Sequence, residues 1–354
     1  MDEQSAKTYA VKIKKLPHSR IEISATISTG EFDVTRSAAV KRIGADLEIP
    51  GFRKGHAPEN IIAAKLGEGA ILEEMAELAI ARAYAAIIRE EKLDVLGRPE
   101  VRITKIAMGN PLEFTLTTAT FPEITLPDYK KLAGKEAQEE TAIIVTDEEV
   151  EKAIEQIRTM RAGVDERREG ATGLPVASKI EPPPLDDIFV KTLGDFADVA
   201  DFKTKLRENM RKEKERAAKD KKRMATIDAI LAKATIDIPE IIVEQELLRM
   251  KEEFAHDVKR MGLSMDGYLG ATKKTQEELE KDWKPTAEKR AKTQLVVSKI
   301  AELEKITPDS EQLKKEVVAI RLQHPDAKEE NVESYIRMIL TNEKVFELLE
   351  SQGA

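Results

Sequence analysis

Cysteine is absent from all 354 residues. That removes disulfides, thiolate nucleophiles and sulfur-ligated metals together. Aromatic side chains are scarce, at 4%, and no run approaches the ~20 apolar residues that a membrane span requires. The four histidines, His18, His56, His256 and His324, are scattered, so none offers a metal-ligand spacing to another. Neither a GxxxxGK phosphate loop nor a GxGxxG turn occurs, and no GxSxG elbow marks a nucleophilic serine. The opening MDEQSAKTYAVKIKK begins with acids and lacks the apolar stretch of a secretory leader. These absences predict a cytoplasmic protein with no cofactor, no metal and no catalytic residues.

Hydrophobic residues make up 41% of the chain and charged residues 35%. Cores can therefore form, and the wealth of Ala, Leu, Ile, Glu and Lys favours helices with broad solvated faces. The net charge of -8 argues against a general nucleic-acid coat. Contact with phosphate would have to come from a local basic patch.

Residues 9 to 27 alternate, with Tyr9, Val11 and Ile13 on one side of LPHS and Ile21, Ile23, Ala25 and Ile27 on the other, which predicts a hairpin. A helical run follows through Phe32, Ala39, Val40, Ile43 and Leu47 and stops at Pro50. Two more helices, ENIIAAKL and GAILEEMAELAIARAYAAIIREEKL, are divided at Gly67, and alternation returns in VRITKIA and LEFTLTTATF. Residues 1–125 thus read as an α+β domain with one antiparallel sheet. Residues 126–183 read as a linker with one short helix, started by a Thr146/Glu149 capping box and carrying Val150, Ile154 and Ile157. Residues 184–354 read as an all-α domain with long members, the clearest bearing Val243, Leu247, Met250, Phe254, Val258 and Met261. The fold class predicted is multidomain and mostly α.

Three features carry functional weight. GFRKGHAP, Gly51 to Pro58, sets Phe52, Arg53 and Lys54 between Gly51 and Gly55. Its bland reading is a wet turn; its functional reading is a raised tip, with cations for phosphate and an aromatic for an apolar protein groove. The stretch from Lys203 to Arg223 holds eleven Lys plus Arg against four Asp plus Glu. A solvated helix laced by i to i+4 ion pairs is the reading favoured over an RNA-binding face. Methionines and a phenylalanine on the later helices, Met210, Met224, Met250, Phe254, Met261 and Met338, fill cores or offer adaptable surfaces to apolar partners. Core packing is the better reading for any single one.

GFRKGHAPENII resembles the ribosome-docking signature of the trigger factor family, ribosome-associated bacterial chaperones. VTDEEVEKAIEQIR, LDDIFVKTLGDFADVADFKTKLRENM and IDIPEIIVEQELLRM resemble that family too, in the expected order. The resemblance implies an N-terminal ribosome-binding domain and a C-terminal chaperone domain with long helical arms. It implies that Gly51, Phe52, Arg53, Lys54 and Gly55 dock on the large ribosomal subunit, on protein and rRNA at the tunnel exit. Nascent and unfolded polypeptides would be the clients, and two copies could pair when free. The position of His56 is commonly lysine in the family, and histidine is mostly uncharged at neutral pH. Family members usually carry an FKBP-type peptidyl-prolyl isomerase domain between linker and arms. Here residues 134 to 184 contain no Phe, Trp or Tyr, and the stretch beyond the linker helix is too short for a domain to fold unaided. The expectation is an ATP-independent holdase of a short form, not an enzyme. An isomerase would need the aromatic pocket that this stretch lacks. A ribosome-independent helical scaffold would leave GFRKG without a role.

Overall fold

The predicted alternation is realised as strands β1 (Tyr9–Leu16) and β2 (Arg20–Ile27), paired antiparallel from Leu16 opposite Arg20 to Tyr9 opposite Ile27. The computed structural model describes residues 9–45, 47–137, 143–168 and 182–353. They divide into two compact units, one of residues 1–126 with 234–300 and one of residues 127–233 with 301–354.

In the first unit the helical run after the hairpin is two helices, α1 (Thr29–Val34) and α2 (Arg36–Gly44). The break falls at buried Thr35, whose hydroxyl lies 2.6 Å from the carbonyl of Phe32 and 3.3 Å from that of Met75. A threonine that satisfies a preceding carbonyl competes with helix continuation, a local event that periodicity does not reveal. Then come α3 (Glu59–Leu66) and α4 (Glu68–Glu90), parted at Gly67 with φ 86°. Strands β3 (Val95–Lys105) and β4 (Leu112–Thr120) complete a four-stranded antiparallel sheet of order β1-β2-β4-β3. One face of β2 and of β4 as far as Thr118 is buried in alternation, and Ile23, Leu112, Phe114 and Leu116 pack with Phe32, Ile71, Met75 and Ile87. Each such side chain contributes about 1.5–3 kcal/mol on burial.

The later half is not wholly free of strands. Ile124–Thr125 (β5) pairs with Thr235–Ile236 (β6), too short for an alternating pattern to be visible in sequence. In the same unit Ser19 donates its backbone N–H to the Asp237 carboxylate (2.8 Å). Ile238, Val243, Ala287 and Ala291 then form a separate core, served by helices at Glu240–Arg260, Met265–Thr272 and Gln276–Leu303. At its far side the rings of Tyr268 and Trp283 each meet Phe254 edge-on, with centroids 5.0 Å apart.

In the second unit the segment read as a linker holds two helices, α5 (Tyr129–Ala137) and α6 (Asp147–Arg168). The capping box is present: the Thr146 N–H donates to the Glu149 carboxylate (3.0 Å) and the Glu149 N–H to the Thr146 hydroxyl (3.3 Å). The helix runs to Arg168, past Ile157 at the end of its apolar stripe, through residues such as Ala, Glu, Gln and Arg of good helix propensity. Residues 169–181 of the expected linker lie outside the described residues. Val150 and Ile154 of α6 pack against Phe189 and Val190 of α7 (Asp187–Leu193) and Phe202 of α8 (Val199–Leu231). The last two long helices pair through Leu313 and Val317 against Val332 and Ile336. They are α12 (Ser310–Gln323) and α13 (Glu329–Glu350), numbered after α9–α11 between β6 and residue 303.

Cations of the basic helix α8 are engaged within the chain. Lys205 pairs with Asp201, Lys212 with Glu208, Arg211 with Glu215 and Arg207 with Asp147. Lys214 lies 2.6 Å from Glu149, and Arg223 forks onto Glu343 and Glu350 with its guanidinium 5.0 Å from the Phe346 ring centre. The ion-paired reading of this stretch is the one the geometry supports. Hydrogen bonds from Lys214, Lys130 and Arg223 hold Glu149, Glu304 and Glu343 respectively below their ordinary 4.5. A depressed folded-state value stabilises the fold above the unfolded value and loses that contribution as pH falls through the folded one. Thermal unfolding should therefore vary little between neutrality and about pH 4.5, then drop steadily on further acidification; melts flat to pH 3 would show these pairs to be idle.

Candidate functional site

The stretch between α2 and α3 contains two successive tight turns. The Phe52 N–H donates to the carbonyl of Ile49, and the His56 N–H to that of Arg53, each at 3.0 Å. In the first turn Pro50 occupies the second position and Gly51 the third, with φ 88°; in the second Gly55 stands third, with φ 76°. This is the type II pattern, where proline presets one angle and only glycine takes the next without strain. Gly55 has a second reason to lack a side chain, since a Cβ there would lie 3.2 Å from the Ala45 carbonyl oxygen. Gly51 faces open space, so its requirement is conformational alone.

The base of this double turn is braced on both sides. Leu47, Ile49 and Ala57 pack against the domain core, and Lys65 donates to the Glu48 carbonyl at 2.6 Å. The Pro58 carbonyl accepts from the N–H groups of Ile61 and Ile62 and starts α3. Helices α2 and α3 touch where Gly44 meets Ile62, whose Cδ1 would lie 2.6 Å from a Cβ on the glycine. Arg36 ties α2 to both following helices, reaching Glu59 at 2.7 Å and Glu68 at 2.8 and 2.9 Å. That fork holds the Glu68 carboxyl below its ordinary range.

On this frame Gly51, Phe52, Arg53, Lys54, Gly55 and His56 are all exposed. Phe52 presents 42% of its surface, a large fraction for an aromatic flanked by cations. The five residues singled out in the sequence thus converge on one small tip. It can offer a ring to an apolar groove and charge to phosphate at the same time.

The six candidate client-binding residues do not converge. Met210 is packed against the core of Phe189 and Phe202, and Met250 against that of Val243 and Ala287. Phe254 lies in its aromatic cluster and Met338 is half-buried. Met224 and Met261 alone among them are freely displayed, at 63% and 62% exposure. The sequence reading missed other exposed apolar side chains. Leu248 and Leu263 lie near Met261 in the chain, and Val318, Leu322, Tyr335 and Ile339 stand on α12 and α13. Their signal was a position off the core-facing stripe of an otherwise regular helix. Among the described residues no group of His, Asp and Glu could hold a metal ion, and no helix is long and apolar enough to cross a membrane.

A braced aromatic and basic tip on an α+β domain, in a chain otherwise built of long ion-paired helices, defines a multidomain binding protein. The family model described as bacterial trigger factor protein matches residues 9–157, and that of the trigger factor C-terminus matches residues 198–350. The chain belongs to the trigger factor family. A trigger factor of Clostridium botulinum (strain Loch Maree / Type A3) is 24% identical, over 96% of this chain and 98% of its own length. One of Halalkalibacterium halodurans is 27% identical over 86% and 88%. The first alignment runs to 420 positions, so at least 66 have no counterpart among the 354 residues here, consistent with a short form of the family. A solved structure described as "Promiscuous Substrate Recognition in Folding and Assembly Activities of the Trigger Factor Chaperone" shares the fold. It has a TM-score of 0.52 and 15% identity, over 98% of this chain and 100% of that one.

Proposed function

We propose that this chain is an ATP-independent, cytoplasmic chaperone that docks beside the exit of the large ribosomal subunit through Gly51–Gly55 and holds nascent or unfolded polypeptides. The observation that carries the reading is the double turn, which spends two glycines with positive φ and a proline on exposing Phe52 between braced helices. In this reading Arg53 and Lys54 meet rRNA phosphate and Phe52 enters a groove on a ribosomal protein. Residues 1–125 form the docking domain, 126–183 the linker without an isomerase domain, and 184–354 the client-holding part. Dispersed apolar spots such as Met224 and Met261 suit weak, multisite contact with clients that must later leave. Two copies of the chain associate when off the ribosome.

Docking concentrates those weak contacts around each emerging chain, so affinity per contact can stay low. Co-sedimentation with ribosomes tests the reading: the protein should pellet at low salt and be released as salt rises, because counterion release drives phosphate contacts. A protein that stays in the supernatant at low salt would refute docking. Clear turnover of a prolyl peptide would favour the isomerase reading instead.

A further inference from the structure

The register of the sheet aligns its residues in rows across four strands. Ile13, Ile23, Leu116 and Val101 make one row, and Val11, Ala25, Phe114 and Ile103 the next. Members of a row share a face, and here it is the core face. Ile23, Ala25, Leu116 and Phe114 are buried on it, yet Val101 and Ile103 on β3 are 48% and 39% exposed. The apolar face therefore extends one strand beyond the helices that cover it.

The other face of β3 is polar and mixed in charge at the same place, with Glu100 opposite Thr117 beside Arg102 and Lys105. Arg102 stands opposite Thr115, and Lys105 opposite Glu113 at 3.6 Å. Thr104 is the extra residue of a bulge between Ile103 and Lys105, and it returns Lys105 to the outer face. Strand β3 is terminal in the sheet, so no described strand pairs with its outer edge. Its first half is unfit for pairing, because Gly97, Arg98 and Pro99 loop out opposite the single residue Thr118. Glu100–Lys105 remains as a stretch of about 20 Å with free backbone groups on one side. The opposite edge is guarded differently: β1 carries Lys12, Lys14 and Lys15, the last paired with Glu123.

We infer that the Glu100–Lys105 edge accepts an extended client segment by strand addition, with a preference for alternating apolar and polar residues. Main-chain hydrogen bonds make the contact tolerant of sequence, as a chaperone needs. Apolar residues of the added strand extend the shelf of Val101 and Ile103, and its polar residues face Glu100, Arg102 and Lys105. The inference rests on the client-binding reading but adds a second, backbone-directed site on the docking domain, away from the Gly51–Gly55 tip.

The probe is a capped seven-residue peptide alternating valine and serine. Hydrogen exchange should slow at amides within Glu100–Lys105 when it binds, and a peptide with its valines replaced by serine should bind about tenfold more weakly. Methylating the peptide's backbone nitrogens on the β3-facing side should abolish binding, whereas methylating the other side should not. Val101→Lys and Ile103→Lys should each weaken the peptide about tenfold. Arg102→Glu, exposed and outside the core, should leave binding of the valine–serine peptide within about twofold. Equal binding of both methylated peptides, or protection appearing elsewhere, would overturn strand addition. Ribosome pelleting is an independent readout: it should survive all three substitutions, and its failure in the parent chain would strike the docking reading rather than this one.

Discussion

Combining Phe52→Ala, Arg53→Ala and Lys54→Ala is expected to leave the protein in the supernatant at a salt concentration where the parent chain pellets with ribosomes. None of the three side chains belongs to the domain core, and all are exposed. Thermal unfolding should therefore shift by no more than about 0.5 kcal/mol. The single substitutions separate the parts of the mechanism. Arg53→Ala should lower the salt slope of binding by about one, the signature of one lost phosphate contact. Phe52→Ala should weaken binding while leaving the slope intact, because its loss is apolar. Ribosome binding undiminished in the triple variant would end the assignment of this loop.

Phe114→Ala is expected to cost about 3–5 kcal/mol in urea denaturation, the largest effect of any substitution named here. The ring is 1% exposed and stands in a row between Ala25 and Ile103, over a core that includes Met75 and Ile71. Removing it leaves a cavity that neighbours on two strands cannot fill without moving. Against a total stability of about 5–15 kcal/mol, such a loss brings the domain near its threshold. Val34→Ala is the control, since Val34 is exposed and should cost under about 0.5 kcal/mol. Comparable losses at the two positions would mean that the sheet and α4 do not enclose the core described.

Much of this was legible before any coordinates. Alternation in β2 and β4 marked the buried face residue by residue, because one covered face imposes a period of two. The double turn was legible as GFRKG flanked by prolines, since glycine and proline have few other uses in such density. What sequence left dark follows from longer-range causes. The bulge at Thr104 turns Lys105 to the face opposite Val101 and Ile103, and nothing in VRITKIA announces it. Helix α6 runs on past Ile157, the last residue of its stripe, into a segment with no apolar period to mark its end. Phe254, Tyr268 and Trp283 sit in three separate helices, so their edge-on contacts have no local signature. The scattered methionines showed the converse limit: Met210 and Met250 look like Met224 and Met261 in composition, and only packing tells them apart.

The first compact unit is assembled from two distant stretches, 1–126 and 234–300, joined at β5 and β6. A ribosome delivers residues from the N-terminus onward. The core around Phe114 uses only residues up to Leu116, so it can close early in the protein's own synthesis. Ile124 and Thr125 must wait more than a hundred residues for Thr235 and Ile236, and Ser19 waits 218 for Asp237. For that interval the edge of β5 and the turn at Ser19 are open. While it is being made, this chain is itself an unfinished polypeptide with an open strand edge that only its own later residues can close.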